Sequence, residues 1–160
     1  MPNAHPKGEF PHPQVRAVLK KLFEEDIAFQ RTLGMRIVSF DPDRPSMRFD
    51  MQPGLIGHPV RKVLHGGVIA AALDAVAGLA ALLAMMEKHQ DEPYEAQLAR
   101  FMKIGTIDLR TDYLQPGRGA YFVASAWVLR AGGKVASVRM DLENDSHELI
   151  ASGSAAFIVG

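Results

Sequence analysis

A chain of 160 residues, 48% hydrophobic and 22% charged, is long enough for one domain with a substantial core. Its 18 basic and 18 acidic side chains leave a formal charge of zero, so the balance calls for neither a nucleic acid nor an anionic membrane as partner. The absence of cysteine excludes disulfides, thiolate zinc sites and cysteine nucleophiles.

Residues 1–13 carry four prolines and two histidines and read as an irregular arm, ahead of a single domain over 14–160. No basic stretch followed by an apolar one opens the chain, and the cytoplasm is the expected location. From Gln14, the residues Val15, Val18, Leu19, Leu22, Phe23 and Ile27 recur at helical spacing among Lys20, Lys21, Glu24 and Glu25, which predicts an amphipathic helix. Two short strands, 35–40 and 46–51, are joined by Asp41-Pro42-Asp43-Arg44-Pro45, a turn composition, and make a hairpin. A long helix follows, from about Gly66 to Met86, apolar on nearly all sides as an enclosed helix is. Its stretch Val68–Met86 has almost the length of a membrane span, but it holds Asp74, eight alanines and a glycine, which suits a core helix better.

Residues 87–92 read as a polar loop. Four strands are expected after it, at 104–114, 120–130, 135–142 and 147–159, with turns at Gln115-Pro116-Gly117, Ala131-Gly132-Gly133 and Glu143-Asn144-Asp145-Ser146. In the first of these, Ile107, Leu109 and Tyr113 alternate with Asp108, Arg110 and Asp112, and parity places Thr106 with the polar set, toward solvent or a subunit interface. The fold class is therefore α+β, an antiparallel sheet of about six strands around one long helix, with an N-terminal amphipathic helix.

Asp74 is the residue that needs a reason. A lone carboxylate in an apolar segment costs several kcal/mol unless it is paired, hydrogen-bonded or protonated. Its helical neighbours Ala70, Ala71, Ala77 and Gly78 are small, which leaves space for a substrate beside it; the plain alternative is close packing of helix on sheet, with Asp74 bonded to a strand.

His65-Gly66-Gly67 at the helix start, an acid nine residues after that histidine, and the strand Thr106–Pro116 ending Tyr113-Leu114-Gln115-Pro116 together resemble the hotdog-fold acyl-CoA thioesterases of the PaaI-like group. The resemblance runs from about residue 34 to the C-terminus and includes the Gly132-Gly133-Lys134 hairpin and the strand Ala151–Ala155. It implies a curved sheet wrapped on a helix, a homodimer or homotetramer (a dimer of dimers), and active sites between subunits. It makes Asp74 the catalytic carboxylate, either a general base for water or a nucleophile on the thioester carbonyl; the sequence leaves both routes open.

The first amides of a helix are unpaired donors at the positive end of its dipole, so the Gly66 N–H, which matches the family position, is the expected oxyanion donor. His65 and Gly67 flank it as substrate-binding positions, with a histidine at a helix start more often a structural hydrogen-bonder than a proton shuttle. His58 falls where relatives carry an Asn or Gln that orients the thioester; imidazole donates one hydrogen bond as an amide does. Thr106 matches a Ser or Thr that helps place the water. Arg130, Gly132, Gly133 and Lys134 correspond to a hairpin near the nucleotide end of CoA. Leu82, Leu83, Met85, Met86, Phe101 and Met102 are candidates for the acyl pocket.

The expected function is hydrolysis of acyl-CoA to free acid and CoA, with no metal and no cofactor beyond the CoA of the substrate; His58 and His65 lack a third ligand at a helical offset. Two rivals remain: a non-catalytic acyl-CoA-binding module that has lost its orienting amide at His58, and a hotdog dehydratase, whose histidine and acid are set differently. Turnover of acyl-CoAs by wild type and Asp74→Ala separates them.

Overall fold

The computed structural model describes residues 10–160, so most of the expected N-terminal arm, residues 1–9, lies outside the described residues. Pro13 opens α1 (Pro13–Lys20), a position where its missing N–H costs nothing, and the His12 ring accepts the Gln14 amide at 3.3 Å. The helix then changes character. Lys21–Asp26 is a π-helical turn, with the Ile27 N–H bonded back to the Leu22 carbonyl, and extended Ile27 separates it from α2 (Ala28–Leu33). The expected amphipathic helix is thus a segment in three parts. Glu24, within the π turn, accepts the Ile37 amide at 2.9 Å and so covers part of a strand edge.

The expected hairpin is β1 (Arg36–Ser39) and β2 (Ser46–Asp50). A small antiparallel pair that the sequence did not announce, β3 (Ile56–His58) and β4 (Val63–Leu64), leads into α3 (Gly66–Lys88). α3 is long and apolar enough to cross a membrane, yet it is enclosed by protein: Leu73, Leu79 and Leu83 have no exposed surface. Each such leucine contributes roughly 2 kcal/mol of burial. The polar residues expected as a loop shrink to a short link, and Pro93 starts a further unforeseen helix, α4 (Tyr94–Phe101).

β5 (Gly105–Tyr113), β6 (Tyr121–Ala131), β7 (Val135–Asn144) and β8 (Leu149–Ile158) complete a six-stranded antiparallel sheet in the order β1-β2-β6-β7-β8-β5. Alternate residues Phe122, Ala124 and Ala126 of β6 and Ala136, Val138 and Met140 of β7 are buried, as period-two strands with one covered face require. The arrangement is the α+β hotdog fold.

β5 is an edge strand, and its register against β8 slips: Thr106 faces Phe157, but Asp108 faces Ala156. The extra residue, Ile107, is a bulge, and it reverses side-chain parity for everything before it. Thr106 therefore shares a face with Leu109 and Thr111, opposite the buried Phe157, Ala155 and Gly153, and looks toward α3. The parity assignment of Thr106 to the polar set with Asp108, Arg110 and Asp112 is corrected on this ground, and Ile107, placed with Leu109 by alternation, is 57% exposed.

Candidate active site

α3 and β5 run in opposite senses, so each end of the strand meets a different part of the helix. At one end Tyr113 Oη donates to the Gly66 carbonyl at 2.9 Å; at the other, Thr106 Oγ1 donates to Asp74 Oδ1 at 2.8 Å.

The helix start is a backbone device. His65 caps α3 through Nδ1, which accepts the Gly67 amide at 2.8 Å, and the Val68 and Ile69 amides bond to the His65 carbonyl. His65 is thereby a structural hydrogen-bonder. The Gly66 N–H has no partner among the described residues. β3 lies close against this turn: a Cβ on Gly57 would stand 2.5 Å from the His65 Cα, a contact only glycine avoids. His58, the next residue, is exposed, and its Nδ1 accepts the Arg61 amide at 3.2 Å. That bond puts the proton of a neutral ring on Nε2, leaving one outward donor of the kind an amide would supply. No group of three or more His, Asp or Glu suited to a metal ion forms among the described residues.

The second location is built from side chains. Asp74 is half-buried rather than enclosed, and Oδ2 has no hydrogen bond among the described residues. It lines an open pocket with Ala75, Gly78 and Thr106; Phe23, Ile27 and Gln30 of the N-terminal segment, Phe101, Ile104 and Phe157 close the rest. Of the four small helical neighbours expected to leave space beside Asp74, Gly78 borders this pocket, whereas Ala70, Ala71 and Ala77 do not, and Ala77 is wholly buried in the core. Gln30 is not singled out by the sequence, nor are Phe23 and Ile27 as site residues; the π turn and extended Ile27 that bring them together break the helical period by which they could have been found. Gln30 Oε1 is buried without a partner among the described residues.

The remaining expectations divide. The hairpin at Gly132-Gly133 is closed by the Gly132 amide on the Val135 carbonyl and held to the end of α3 by Lys88 Nζ on the Gly132 carbonyl at 3.3 Å. Val135 and Gly105 both pair with Ile158, so the exposed Arg130 and Lys134 lie at the Asp74 end of the sheet. Of the acyl-pocket candidates, Leu82, Met86 and Phe101 line an apolar cleft under α1, and Met85 an adjoining recess. Leu83 is instead wholly inside the core, and Met102 is 78% exposed.

The distance between the two locations decides what one chain can do. Eight residues separate Gly66 from Asp74, about 12 Å along a helix, whereas an oxyanion donor must stand about 3 Å from the reacting oxygen.

Comparison with known proteins shows the family of the chain. Residues 61–151 match the thioesterase superfamily model. Over 147 residues the chain is 39% identical to a medium/long-chain acyl-CoA thioesterase, YigI, of Escherichia coli K12, covering 92% of this chain and 95% of that one. A crystal structure from Shewanella oneidensis, described as related to the thioesterase superfamily, is 37% identical and superposes with a TM-score of 0.88, covering 92% of this chain and 96% of that one. A thioesterase family protein from Silicibacter pomeroyi shares the fold at 21% identity, with a TM-score of 0.70 over 90% and 98% of the two chains. With the matched region holding the capped helix start, the acid of α3 and the bulged strand that reaches it, the chain belongs to the thioesterase superfamily.

Proposed function

We propose that the protein hydrolyses medium- to long-chain acyl-CoA thioesters, with residues 14–160 working as one hotdog unit in a homodimer whose two chains share each active site. The observation that carries this reading is the separation of Gly66 from Asp74 along α3. Neither a single carbonyl nor a single water can touch both in one chain.

The edge of β5 supplies the remedy. It leaves Ile107, Tyr113 and, just beyond it, Leu114 more than half exposed, and among the described residues no strand pairs with its outer side. Antiparallel pairing of two such edges around a two-fold axis brings the Tyr113 end of one strand beside the Thr106 end of the other. The Gly66 amide of one protomer then faces Asp74 of its partner.

In that site Thr106 holds Oδ1, and Oδ2 is the reactive oxygen. Acting as a base, it takes a proton from water while the water oxygen adds to the thioester carbonyl; acting as a nucleophile, it forms a mixed anhydride that water then opens. Both routes place negative charge on the carbonyl oxygen, where the Gly66 N–H and the helix dipole stabilise it. The carbon–sulfur bond breaks, and the CoA thiolate takes up the proton. His58 Nε2–H orients the thioester, His65 and Gly67 shape the turn around it, and Arg130, Gly132, Gly133 and Lys134 meet the nucleotide end of CoA. No cofactor is required beyond the CoA of the substrate. The cytoplasm is the location this reading assumes, with α3 a core helix.

The test uses Asp74→Asn and Gly66→Pro, each expected to lower kcat by about a hundredfold or more. Mixed dimers purified through two different tags contain one intact and one doubly damaged site, and are expected to recover about half the wild-type activity per dimer. No recovery, with wild type active, sinks the shared site. A wild type that acyl-CoA stabilises against melting but that never turns it over is a binding module.

A further inference from the structure

α2 is short, and its backbone is pinned beside the Asp74 pocket. Gly34, at φ 70°, ends the helix, and the Met35 amide bonds back to the Gln30 carbonyl at 3.0 Å, while the Arg31 amide holds the Ile27 carbonyl at the other end. Phe29 and Thr32 are exposed. Gln30 and Leu33, three residues apart, turn inward instead, Leu33 into the core and Gln30 to the pocket. A glutamine on an inward face needs hydrogen-bond partners, yet Gln30 Oε1 is buried with none among the described residues.

The chemistry of the pocket says what that partner is. Its polar side chains are Asp74, Thr106 and Gln30. Thr106 already gives its hydroxyl proton to Asp74 Oδ1, so the capacity left open is that of two acceptors, Asp74 Oδ2 and Gln30 Oε1. A saturated acyl thioester has no donor for either: its carbonyl accepts and its chain is apolar. Water has two donors. The space open to water in this pocket is about 140 Å³, against roughly 10–15 Å³ for one water, so a water fits with room left for a ligand.

We propose that Gln30 positions the attacking water, its Oε1 accepting one hydrogen while Asp74 Oδ2 accepts the other. This rests on the thioesterase reading above, with Asp74 as base, but both acceptors belong to one chain and the proposal does not depend on a shared site. Held by both hydrogens, the water keeps a lone pair free for the thioester carbonyl. As the oxygen–carbon bond forms, the proton on the Asp74 side passes to Oδ2, and the one on Gln30 stays on the new hydroxyl. The carbon–sulfur bond then breaks, and the thiolate takes the proton from Asp74.

Gln30→Met keeps the length of the side chain and removes the amide, and its tip suits the apolar walls of Phe23 and Phe101. At an unchanged melting temperature, kcat is expected to fall about five- to tenfold with KM little altered, and by the same factor on hexanoyl-CoA and hexadecanoyl-CoA, since the water is common to both. A second measurement needs no variant: a crystal structure of the unliganded wild type is expected to hold a water within about 3.2 Å of both Gln30 Oε1 and Asp74 Oδ2. An unchanged kcat, a change in KM alone, or no water touching both oxygens overturns the proposal and leaves the thioesterase reading intact. A loss confined to 3-hydroxyacyl-CoA substrates puts the amide on the acyl group instead, and overturns it as well. A wild type that turns over no acyl-CoA defeats the thioesterase reading first.

Discussion

The two ends of the proposed site are built by opposite means. At the helix start, the working donor is a backbone amide, and everything that fixes it lies within a few residues: the His65 cap, the Gly67 amide it receives, and Gly57 pressed against the His65 backbone. At Asp74, the working group is a side chain, and its surroundings come from β5, β8, the π turn, α2 and α4. A local device keeps its geometry wherever the helix goes. An assembled one depends on register and packing far away in sequence. Substitutions should therefore act at the first location through one atom, and at the second through the structure that delivers the atom.

The largest effect in the comparison is expected from removing the Gly66 N–H. Gly66 is the first residue of α3, where proline is tolerated, and His65 already has the extended backbone (φ −64°, ψ 135°) that a following proline demands. A Cβ there meets the Tyr113 ring at 3.3 Å in any substitution, so Gly66→Ala shares that crowding while keeping the N–H. Gly66→Pro should lower kcat about 100- to 1,000-fold below Gly66→Ala, with similar melting temperatures. Equal rates for the two variants would remove the amide from the mechanism.

A smaller effect belongs to Thr106, which acts through Asp74. Thr106→Val keeps the β-branched shape but deletes the hydroxyl that fixes Oδ1. A loss of about tenfold in kcat is expected, with KM little changed and with Thr106→Ser restoring the rate, because a hydrogen bond to a charged group accounts for a change of that order. If Val and Ser behave alike, the hydroxyl is incidental and the bulge at Ile107 serves packing alone.

The same contrast explains what the sequence disclosed. His65, Gly66, Gly67 and Asp74 lie on one helix and its cap, so spacing alone carried their arrangement, and the long apolar helix with four alternating strands after it carried the sheet. Thr106 was recognised but placed on the wrong face, since a bulge is one residue that no period-two pattern announces. Gln30, Phe23 and the cleft escaped because their relation to Asp74 exists only after the N-terminal segment folds back over α3. α4 was hidden by its brevity: eight residues after Pro93 offer too few turns for a periodic signal.

The smallest effect concerns what holds α4, and with it Phe101, over the Asp74 pocket. Arg100 donates to both oxygens of Glu92, at 2.7 and 2.9 Å, and the His89 ring lies 3.0 Å from the same carboxylate, tying α4 to the end of α3. The hydrogen bonds from Arg100 hold the Glu92 carboxyl below its ordinary value. A carboxylate with a depressed pKa in the fold stabilises it above the unfolded value, and that contribution disappears as pH falls through the folded one. Glu92→Gln is nearly isosteric but cannot form the ion pair. It should lower the melting temperature at pH 7 by no more than about 3 °C, as expected for a solvent-screened pair near the surface, and the gap from wild type should close as pH falls through the lowered value of the folded carboxyl. A gap that persists in acid would mean that α4 is held by packing, and that the assembled end of the site owes its walls to the apolar contacts of Leu98 and Phe101 instead of to charge.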